Sequence, residues 1–216
     1  MGLPKDNLLF GYAPKLTDEQ RIYVDSIFDN KFTIVNAKSG TGKTTLAVAV
    51  AKLLNKPLYY TFAPVEEDAL GYTPGDVEEK EAKYITPLLD ALTQIREDPR
   101  LAIHRDSNPD FMNAGAWVHA KSHVFMRGTN IMDCTLIIDE SQNMTRGDLK
   151  KVLTRLHHSV TVVMIGHDGQ NDLPDPSKSG FVPYLEHFRD EPNTRICDLS
   201  VNFRGPISQH ADKLTW

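Results

Sequence analysis

The chain has 216 residues, is 40% hydrophobic and 25% charged, and carries a formal net charge of −5. This composition is that of a soluble globular protein long enough to bury a core without disulfides or a structural metal. It excludes a disulfide-rich scaffold, a zinc site with regular cysteine spacing and a membrane-spanning protein, and it disfavours broad non-specific binding to nucleic acid. With no secretory signal in residues 1–12, we expect a cytoplasmic protein without membrane contact.

The predicted elements alternate between strands and helices. Residues 1–15 are expected to form a surface arm, and a helix begins after Thr17, whose spacing to Gln20 matches a capping box. Apolar runs predict strands at 31–36, 58–62, 134–138, 160–166 and 195–199, and helices are predicted at 44–51, 85–96, 145–156, 181–189 and 206–213. Loops are expected near 63–84 and 97–115. We therefore predict one α/β domain over 16–216 with a mostly parallel sheet covered on both faces.

A phosphate-binding loop is predicted between the strand 31–36 and the following helix. Residues 37–44 read AKSGTGKT and match the Walker A pattern except for Ala37 at its first position. Backbone N–H groups and a helix N-terminus would surround the phosphates of ATP, and the glycines would permit the tight turn. The predicted nucleotide contacts are Lys38, Ser39, Gly40, Thr41, Gly42, Lys43, Thr44 and Thr45. Lys43 would reach the β- and γ-phosphates, and Thr44 would bind Mg²⁺.

A second acidic motif follows the apolar strand 134–138. Asp139 and Glu140 would lie at the carboxyl edge of the sheet, where ligands bind in open α/β folds. We predict that Asp139 holds Mg²⁺ through a water molecule and that Glu140 polarises the attacking water. This pair favours hydrolysis over kinase-type transfer.

A third polar stretch, residues 166–170, follows the strand 160–166. Gln170 is a candidate for sensing the γ-phosphate or orienting water. His167 and Asp168 suit either a catalytic pair or an ordinary turn near the nucleotide, and the sequence leaves the two open.

Together these motifs resemble those of the PhoH-like ATPase family, which also occurs in phages. The similar strings, in order, are GYTPGDVEEK at 71–80, FMRG at 125–128, IIDESQN at 137–143, QNDLP at 170–174 and SG at 179–180. The resemblance extends from about Leu16 onward. The chain departs from the family pattern at Ala37, at His167, where an aspartate is expected, and at Gly205, where a histidine often stands.

The resemblance implies a RecA-like core related to superfamily 1 helicases, with ATPase activity. By the same match, Gln20 is similar to a glutamine that contacts adenine, although the capping box offers it a different role. Arg204 is similar to an arginine near the γ-phosphate, with a solvated helix-start arginine as the alternative. Arg127 suits a phosphate or subunit contact as well as a surface ion pair. The catalytic set implied is Lys43, Glu140, Gln170 and Arg204.

The sequence leaves the partner open. A chain with one lobe would need to form a homo-oligomer to work as a helicase-like ATPase on single-stranded RNA or DNA. We expect a hexameric ring with Arg204 acting in trans. Trp117, His119, Lys121 and His123 offer a stacking and phosphate-contact stretch, or simply a strand with a polar flank. The alternative is a nucleotide-dependent switch acting on a protein partner, which the acidic balance favours, and a small-molecule kinase is a weaker third.

Overall fold

The computed structural model describes residues 16–63, 84–126 and 130–211. The strands are β1 (Phe32–Ala37), β2 (Leu58–Phe62), β3 (Val118–Ala120), β4 (Thr135–Asp139), β5 (Thr161–Gly166) and β6 (Thr194–Leu199). The helices are α1 (Asp18–Asp29), α2 (Lys43–Leu53), α3 (Thr86–Gln94), α4 (Pro99–Ala102), α5 (Asp110–Asn113), α6 (Arg146–Leu153), α7 (Phe181–His187) and α8 (Pro206–Ala211). Short 3₁₀ turns occupy His123–Met126, Ser141–Asn143 and Pro176–Lys178.

The six strands form one sheet in the order β3-β2-β4-β5-β1-β6, and each neighbouring pair is parallel. The strand β5 lies between β1 and β4, with Ile34 opposite Met164 and Ile138 opposite the same Met164. Because parallel strands end at the same edge, this order brings the loops after β1, β4 and β5 side by side. The fold therefore gathers the three predicted motifs at one edge.

Two apolar clusters cover the two faces of the sheet. One contains the apolar faces of α1, α2 and α3 packed on Val35, Ile137 and Ile165. The other contains residues of α6 and α7 packed on Ile34, Ile138 and Met164. Neighbouring strand residues such as Ile137 and Ile138 point to opposite faces, as the two-residue period of a strand requires. Because both faces of the sheet are buried, its central strands need continuous apolar runs. The predicted three-layer α/β architecture is confirmed.

The predicted strands and main helices are confirmed, with shifts of a few residues at their ends. The predicted capping box is present, since the Thr17 side chain accepts a hydrogen bond from the Gln20 N–H and the Gln20 side chain accepts one from the Thr17 N–H. The region 97–115 is more ordered than expected for a loop: it contains α4 and α5, and Ala102 and Ile103 are buried. The strand β3 was foreseen only as one alternative for the stretch around His119.

Residues 1–15 and nearly all of the predicted loop 63–84 lie outside the described residues, as do the string at 71–80 and Arg127. Among the helices in the described ranges, none combines the length and the hydropathy that a bilayer crossing requires.

Candidate nucleotide site

A cleft of about 620 Å³ opens at the carboxyl edge of the sheet, beside the loop that follows β1. It is lined by residues from the loop, from α1, α2 and α3, from the end of β4 and from the segment after β6. These are Leu16, Gln20, Ser39, Gly40, Gly42, Lys43, Thr44, Thr45, Leu46, Pro87, Asp90, Gln94, Glu140, Phe203 and Arg204. The first two predicted motifs thus meet in one concave site large enough for a nucleotide.

The loop after β1 has the conformation that the Walker A pattern predicts. Gly40 and Gly42 have φ angles of 79° and 81°, in the left-handed region that favours glycine. The helix α2 begins at Lys43, so its unpaired N–H groups and positive end face the cleft. The arrangement suits a chain of phosphates.

Interactions outside the cleft hold this loop in place. The Gln20 Nε2 donates to the Thr41 carbonyl at 2.9 Å, and the Tyr23 hydroxyl donates to the Lys43 carbonyl at 3.2 Å. Thr41 is fully buried and its Oγ1 donates to the Lys38 carbonyl at 3.1 Å. Ala37, the departure from the pattern, is the last residue of β1 and is buried in the core. A side chain is therefore accommodated at that position.

The predicted metal-binding pair is assembled at the floor of the cleft. The Thr44 Oγ1 donates to the Asp139 Oδ2 at 2.9 Å, although 95 residues separate them in sequence. The buried Tyr60 hydroxyl donates to the same carboxylate oxygen at 2.7 Å, and the Glu140 N–H donates to the other at 2.9 Å. Asp139 is fully buried. Its carboxylate is thus held by three hydrogen bonds and directed at Thr44.

Glu140 lies at the rim of this floor in a left-handed conformation, with a φ of 49°. Its Oε1 is 4.0 Å from the Lys43 Nζ, and its Oε2 accepts a hydrogen bond from the Gln142 Nε2. Desolvation, followed by the charge of Asp139, raises the pKa of Glu140, while Lys43 and the Gln142 hydrogen bond act in the opposite direction. A carboxylate with a raised pKa beside a phosphate-binding lysine suits a general base.

The segment after β6 forms the wall opposite α3. The Phe203 N–H donates to the Gly40 carbonyl at 2.8 Å, and both Phe203 and Arg204 line the cleft. A Cβ added to Gly40 would lie 2.5 Å from the Asn202 Oδ1 and 2.8 Å from the Arg204 Cγ. Arg204 therefore lies against the phosphate-binding loop of its own chain, and its action in trans stays a prediction.

Most predicted site residues are brought together, with one clear exception. Thr41 and Asp139 are buried behind the cleft lining, and Lys38 is exposed and does not line the cleft. The other predicted residues of the two motifs line it. Gln170 does not lie in this cleft. It lines a second cleft of about 450 Å³ with Gln142, Arg146, His167, Asp168 and Asn171 among others. Its suggested role in sensing the γ-phosphate or orienting water stays a prediction, with no contact to the first cleft behind it.

His167 and Asp168 also lie at the second cleft. The Asp168 side chain accepts from the Asn36 Nδ2 at 3.1 Å, and its N–H donates to the Asn36 Oδ1 at 3.1 Å, so it ties the ends of β5 and β1 together. The His167 N–H donates to the Gln142 Oε1 at 3.3 Å. Of the two roles left open by the sequence, the geometry favours turn residues near the site.

The candidate nucleic-acid stretch 117–123 is occupied by contacts within the chain. The Trp117 Nε1 donates to Glu97 at 3.2 Å, and the Lys52 Nζ lies 4.6 Å from the Trp117 ring centroid. His119 stacks on Tyr59, with ring centroids 4.9 Å apart. The Lys121 side chain bonds to Asp106, and the His123 side chain bonds to the Phe62 carbonyl. The simpler alternative of a strand with a polar flank is favoured.

The sequence offered Gln20 two roles, the capping box of α1 and contact with adenine. The structure shows the first and leaves room for the second. The Gln20 Oε1 accepts from Thr17 and its Nε2 donates to Thr41, while the residue still lines the cleft. Contact with adenine remains a prediction.

Three residues of the candidate site escaped the sequence reasoning: Tyr60, Gln142 and Phe203. Tyr60 is one residue of an apolar strand and carries no local signal. Gln142 and Phe203 stand beside recognised motif residues. Only the turns that follow β4 and β6 show that the Gln142 side chain contacts Glu140 and that Phe203 lines the cleft.

The phosphate-binding loop, the Thr44–Asp139 pair and the parallel sheet define a RecA-like domain of the P-loop NTPase class. The family model described as PhoH-like protein matches residues 13–213, and the chain belongs to this family.

Curated relatives agree with this assignment. The PhoH-like protein of Mycobacterium leprae is 36% identical over 208 residues, covering 92% of this chain and 57% of the relative. The PhoH-like protein of Synechocystis is 34% identical over 190 residues, covering 85% and 56%. The chain thus spans a little over half the length of these relatives. Among solved structures, the UvsW helicase from bacteriophage T4 matches with a TM-score of 0.56 and 11% identity, covering 84% of this chain and 59% of that one. That likeness concerns the fold.

Proposed function

We propose that this chain binds ATP together with Mg²⁺ and hydrolyses the terminal phosphate. The observation that carries the proposal is the 2.9 Å hydrogen bond between Thr44 and the buried Asp139, formed directly beneath a loop with the conformation of a phosphate cradle. A hydroxyl and a carboxylate side by side are the oxygen ligands that Mg²⁺ uses in P-loop proteins.

The donor set fits this metal. Within the described ranges no cluster of three or more histidine, cysteine or acidic side chains is found, so a dedicated all-protein metal cage is absent there. Two oxygen ligands from the protein leave room for phosphate oxygens and water, the arrangement that Mg²⁺ favours. When bound, the ion would neutralise negative charge on the phosphates. Thr44 and Asp139 would hold it.

The chain's own groups account for the remaining steps. The Lys43 ammonium, 13% exposed, would contact the β- and γ-phosphates from the start of α2. The Glu140 carboxylate would accept a proton from the attacking water, with its raised pKa suiting that task. Arg204 would stabilise charge on the transferred phosphoryl group in cis.

Apolar side chains in the cleft lining suit a nucleobase. Leu16, Pro87 and Phe203 line the cleft, and Phe203 is 56% exposed. Its backbone bonds to Gly40, and an exposed aromatic side chain suits stacking on a base. We propose that these side chains and Gln20 contact the base.

The proposal extends to coupling with single-stranded RNA or DNA. The second cleft supports this extension, because Gln142 lines it and also bonds to Glu140. A ligand that moved Gln142 would alter the catalytic carboxylate. Arg146 lines the same cleft, and among the described residues no carboxylate pairs with it at salt-bridge distance. The likeness of fold to a helicase is consistent with such a ligand.

An ATPase assay with and without RNA or single-stranded DNA, on a sample of measured mass, tests the whole proposal. We expect turnover that requires Mg²⁺ and rises with one of the polymers, with the stimulation falling at high salt. Arg146→Ala should reduce the stimulation and leave basal turnover unchanged. The matched control Arg189→Ala removes an exposed arginine paired with Glu186, away from both clefts, and should change neither.

Turnover that no nucleic acid alters would instead support the nucleotide-dependent switch acting on a protein partner. Mass photometry tests the expected homo-oligomer, including a hexameric ring. A strict monomer with full activity would contradict the ring and agree with Arg204 acting in cis. The expected cytoplasmic location stays a prediction.

A further inference from the structure

The segment that follows β6 crosses directly over the phosphate-binding loop. We call residues 200–209 the strap. The Phe203 N–H donates to the Gly40 carbonyl at 2.8 Å, and the side chains of Asn202 and Arg204 occupy the space where a Cβ on Gly40 would stand. The strap therefore lies so close to the loop that position 40 has no room for a side chain.

Apolar burial does not hold the strap in this position. The helix α8, which begins within it, buries none of its residues. Val201, Phe203 and Ile207 are 41%, 56% and 87% exposed. Since the hydrophobic effect contributes little here, the polar contacts of the strap decide where it lies.

The first polar contact comes from α1. Both carboxylate oxygens of Glu19 accept hydrogen bonds from Ser200, from its N–H at 2.8 Å and from its Oγ at 2.7 Å. These bonds lower the pKa of Glu19, so the group is charged at neutral pH. The next residue, Gln20, donates to the Thr41 carbonyl. One turn of α1 thus holds both the start of the strap and the phosphate-binding loop.

The second polar contact lies within the strap. The Gln209 Nε2 donates to the carbonyls of Asn202 at 2.9 Å and Arg204 at 2.8 Å. The Asn202 Oδ1 in turn accepts from the Arg204 N–H at 2.8 Å. These bonds set the curvature of the strap on either side of Phe203.

We propose that Glu19 and Gln209 are positioning residues of the nucleotide site, which hold Phe203 and Arg204 against the phosphate-binding loop. Glu19 fixes the point where the strap leaves β6, and Gln209 fixes its bend. The kinetic consequence rests on the proposed ATPase function. The positional consequence does not, because it concerns contacts formed by the chain itself.

Hydrogen exchange of the protein without nucleotide tests the positional part. We expect Glu19→Gln and Gln209→Leu each to speed exchange of the Phe203 amide about tenfold, although neither residue bonds to that amide. The matched control is Asp18→Asn, which removes an exposed acidic group from the same first turn of α1 and does not touch the strap. It should leave the Phe203 amide unchanged, and thermal unfolding of all three variants should confirm that they fold.

A kinetic cycle tests the link to the site. Glu19→Gln should lower kcat about tenfold in the wild-type background. In the Arg204→Ala background it should cause no further loss of kcat, because the residue that it positions is already absent. A purely structural role would lower kcat equally in both backgrounds.

Unchanged Phe203 exchange in both Glu19→Gln and Gln209→Leu would overturn the proposal, as would equal kinetic losses in the two backgrounds. If exchange behaves as expected but the wild-type protein neither binds nor hydrolyses ATP, the ATPase proposal fails while the contacts of the strap stand.

Discussion

The floor and the strap of the cleft are built in opposite ways. The floor consists of Thr44 and Asp139, carried by α2 and β4 and embedded in a core whose central residues are fully buried. The strap carries Phe203 and Arg204 and is exposed. It donates hydrogen bonds to Glu19 and to the Gly40 carbonyl, and its own Gln209 donates to the Arg204 carbonyl. The groups proposed to hold the metal are thus carried by the buried core, whereas the groups proposed to contact the base and the γ-phosphate can move at small cost.

This contrast has a thermodynamic meaning. A single hydrogen bond contributes only about 0.5–1.5 kcal/mol net, so the strap contacts can open without unfolding the domain. Displacing Asp139 would instead require disruption of the sheet. A nucleotide that contacts both the floor and the strap would bind more tightly when the strap lies against the phosphate-binding loop. It would therefore favour that position of the strap.

The largest expected effect is at the start of α2, next to the floor. Lys43→Ala removes the ammonium group that the Walker A pattern directs at the β- and γ-phosphates, and turnover should fall about 10²–10³-fold or more. The variant should fold normally, since the Lys43 side chain reaches into the cleft. Steady-state kinetics and a thermal melt are the measurements. Near wild-type turnover in this variant would rule out the P-loop site as the place of chemistry.

The next effect separates binding from chemistry at the rim of the floor. Glu140→Gln keeps the shape of the side chain and removes the proposed base, so ATP should still bind while kcat falls about 10²-fold. Fluorescent-nucleotide titration gives the affinity and phosphate release gives kcat. Hydrolysis at the wild-type rate would show that Glu140 does not activate water.

Two glycines sharpen the comparison between floor and strap. Gly40→Ala and Gly42→Ala both place a side chain at a positive φ, which costs about 1–2 kcal/mol. Only Gly40→Ala would also strike the strap, because the nearest atom to a Cβ at Gly42 is the Gln20 Nε2 at 3.4 Å. We expect similar losses of thermal stability, but faster exchange of the Phe203 amide in Gly40→Ala alone. Equal exchange in both variants would argue against a tight contact.

The smallest expected effect is a shift in pH dependence. As the proposed base, Glu140 would act only when ionised, so activity should fall as the pH drops through its pKa. Burial and the charge of Asp139 raise that pKa above the ordinary glutamate value. Gln142→Leu removes a hydrogen bond that lowers this pKa, so the acid limb of kcat/KM should move to higher pH. The limb should vanish from the residual activity of Glu140→Gln. If the acid limb of kcat/KM did not move in Gln142→Leu, the hydrogen bond from Gln142 would not influence the pKa of the catalytic base.

Sequence patterns predicted much of the fold because periodicity is a local property. Strands β1, β2, β4, β5 and β6 were recognisable as apolar runs. The capping box was recognisable from two residues, Thr17 and Gln20, that are three positions apart. The short strand β3 and the helices α4 and α5 were harder, since four or fewer residues carry too weak a period.

By itself, the sequence determined the residues of the phosphate-binding loop and the acidic pair, because both motifs require particular side chains at fixed local spacing. Only the tertiary structure decided which of the other candidates join them. The order of the strands put Gln170 in a second cleft, the turn after β4 linked Gln142 to Glu140, and the path after β6 laid Arg204 on its own chain's Gly40. The places of Gln170 and Arg204 depend on contacts between residues far apart in the chain, and the bond from Gln142 to Glu140 depends on the backbone path of the turn between them. Hydrophobic periodicity and motif spacing encode neither.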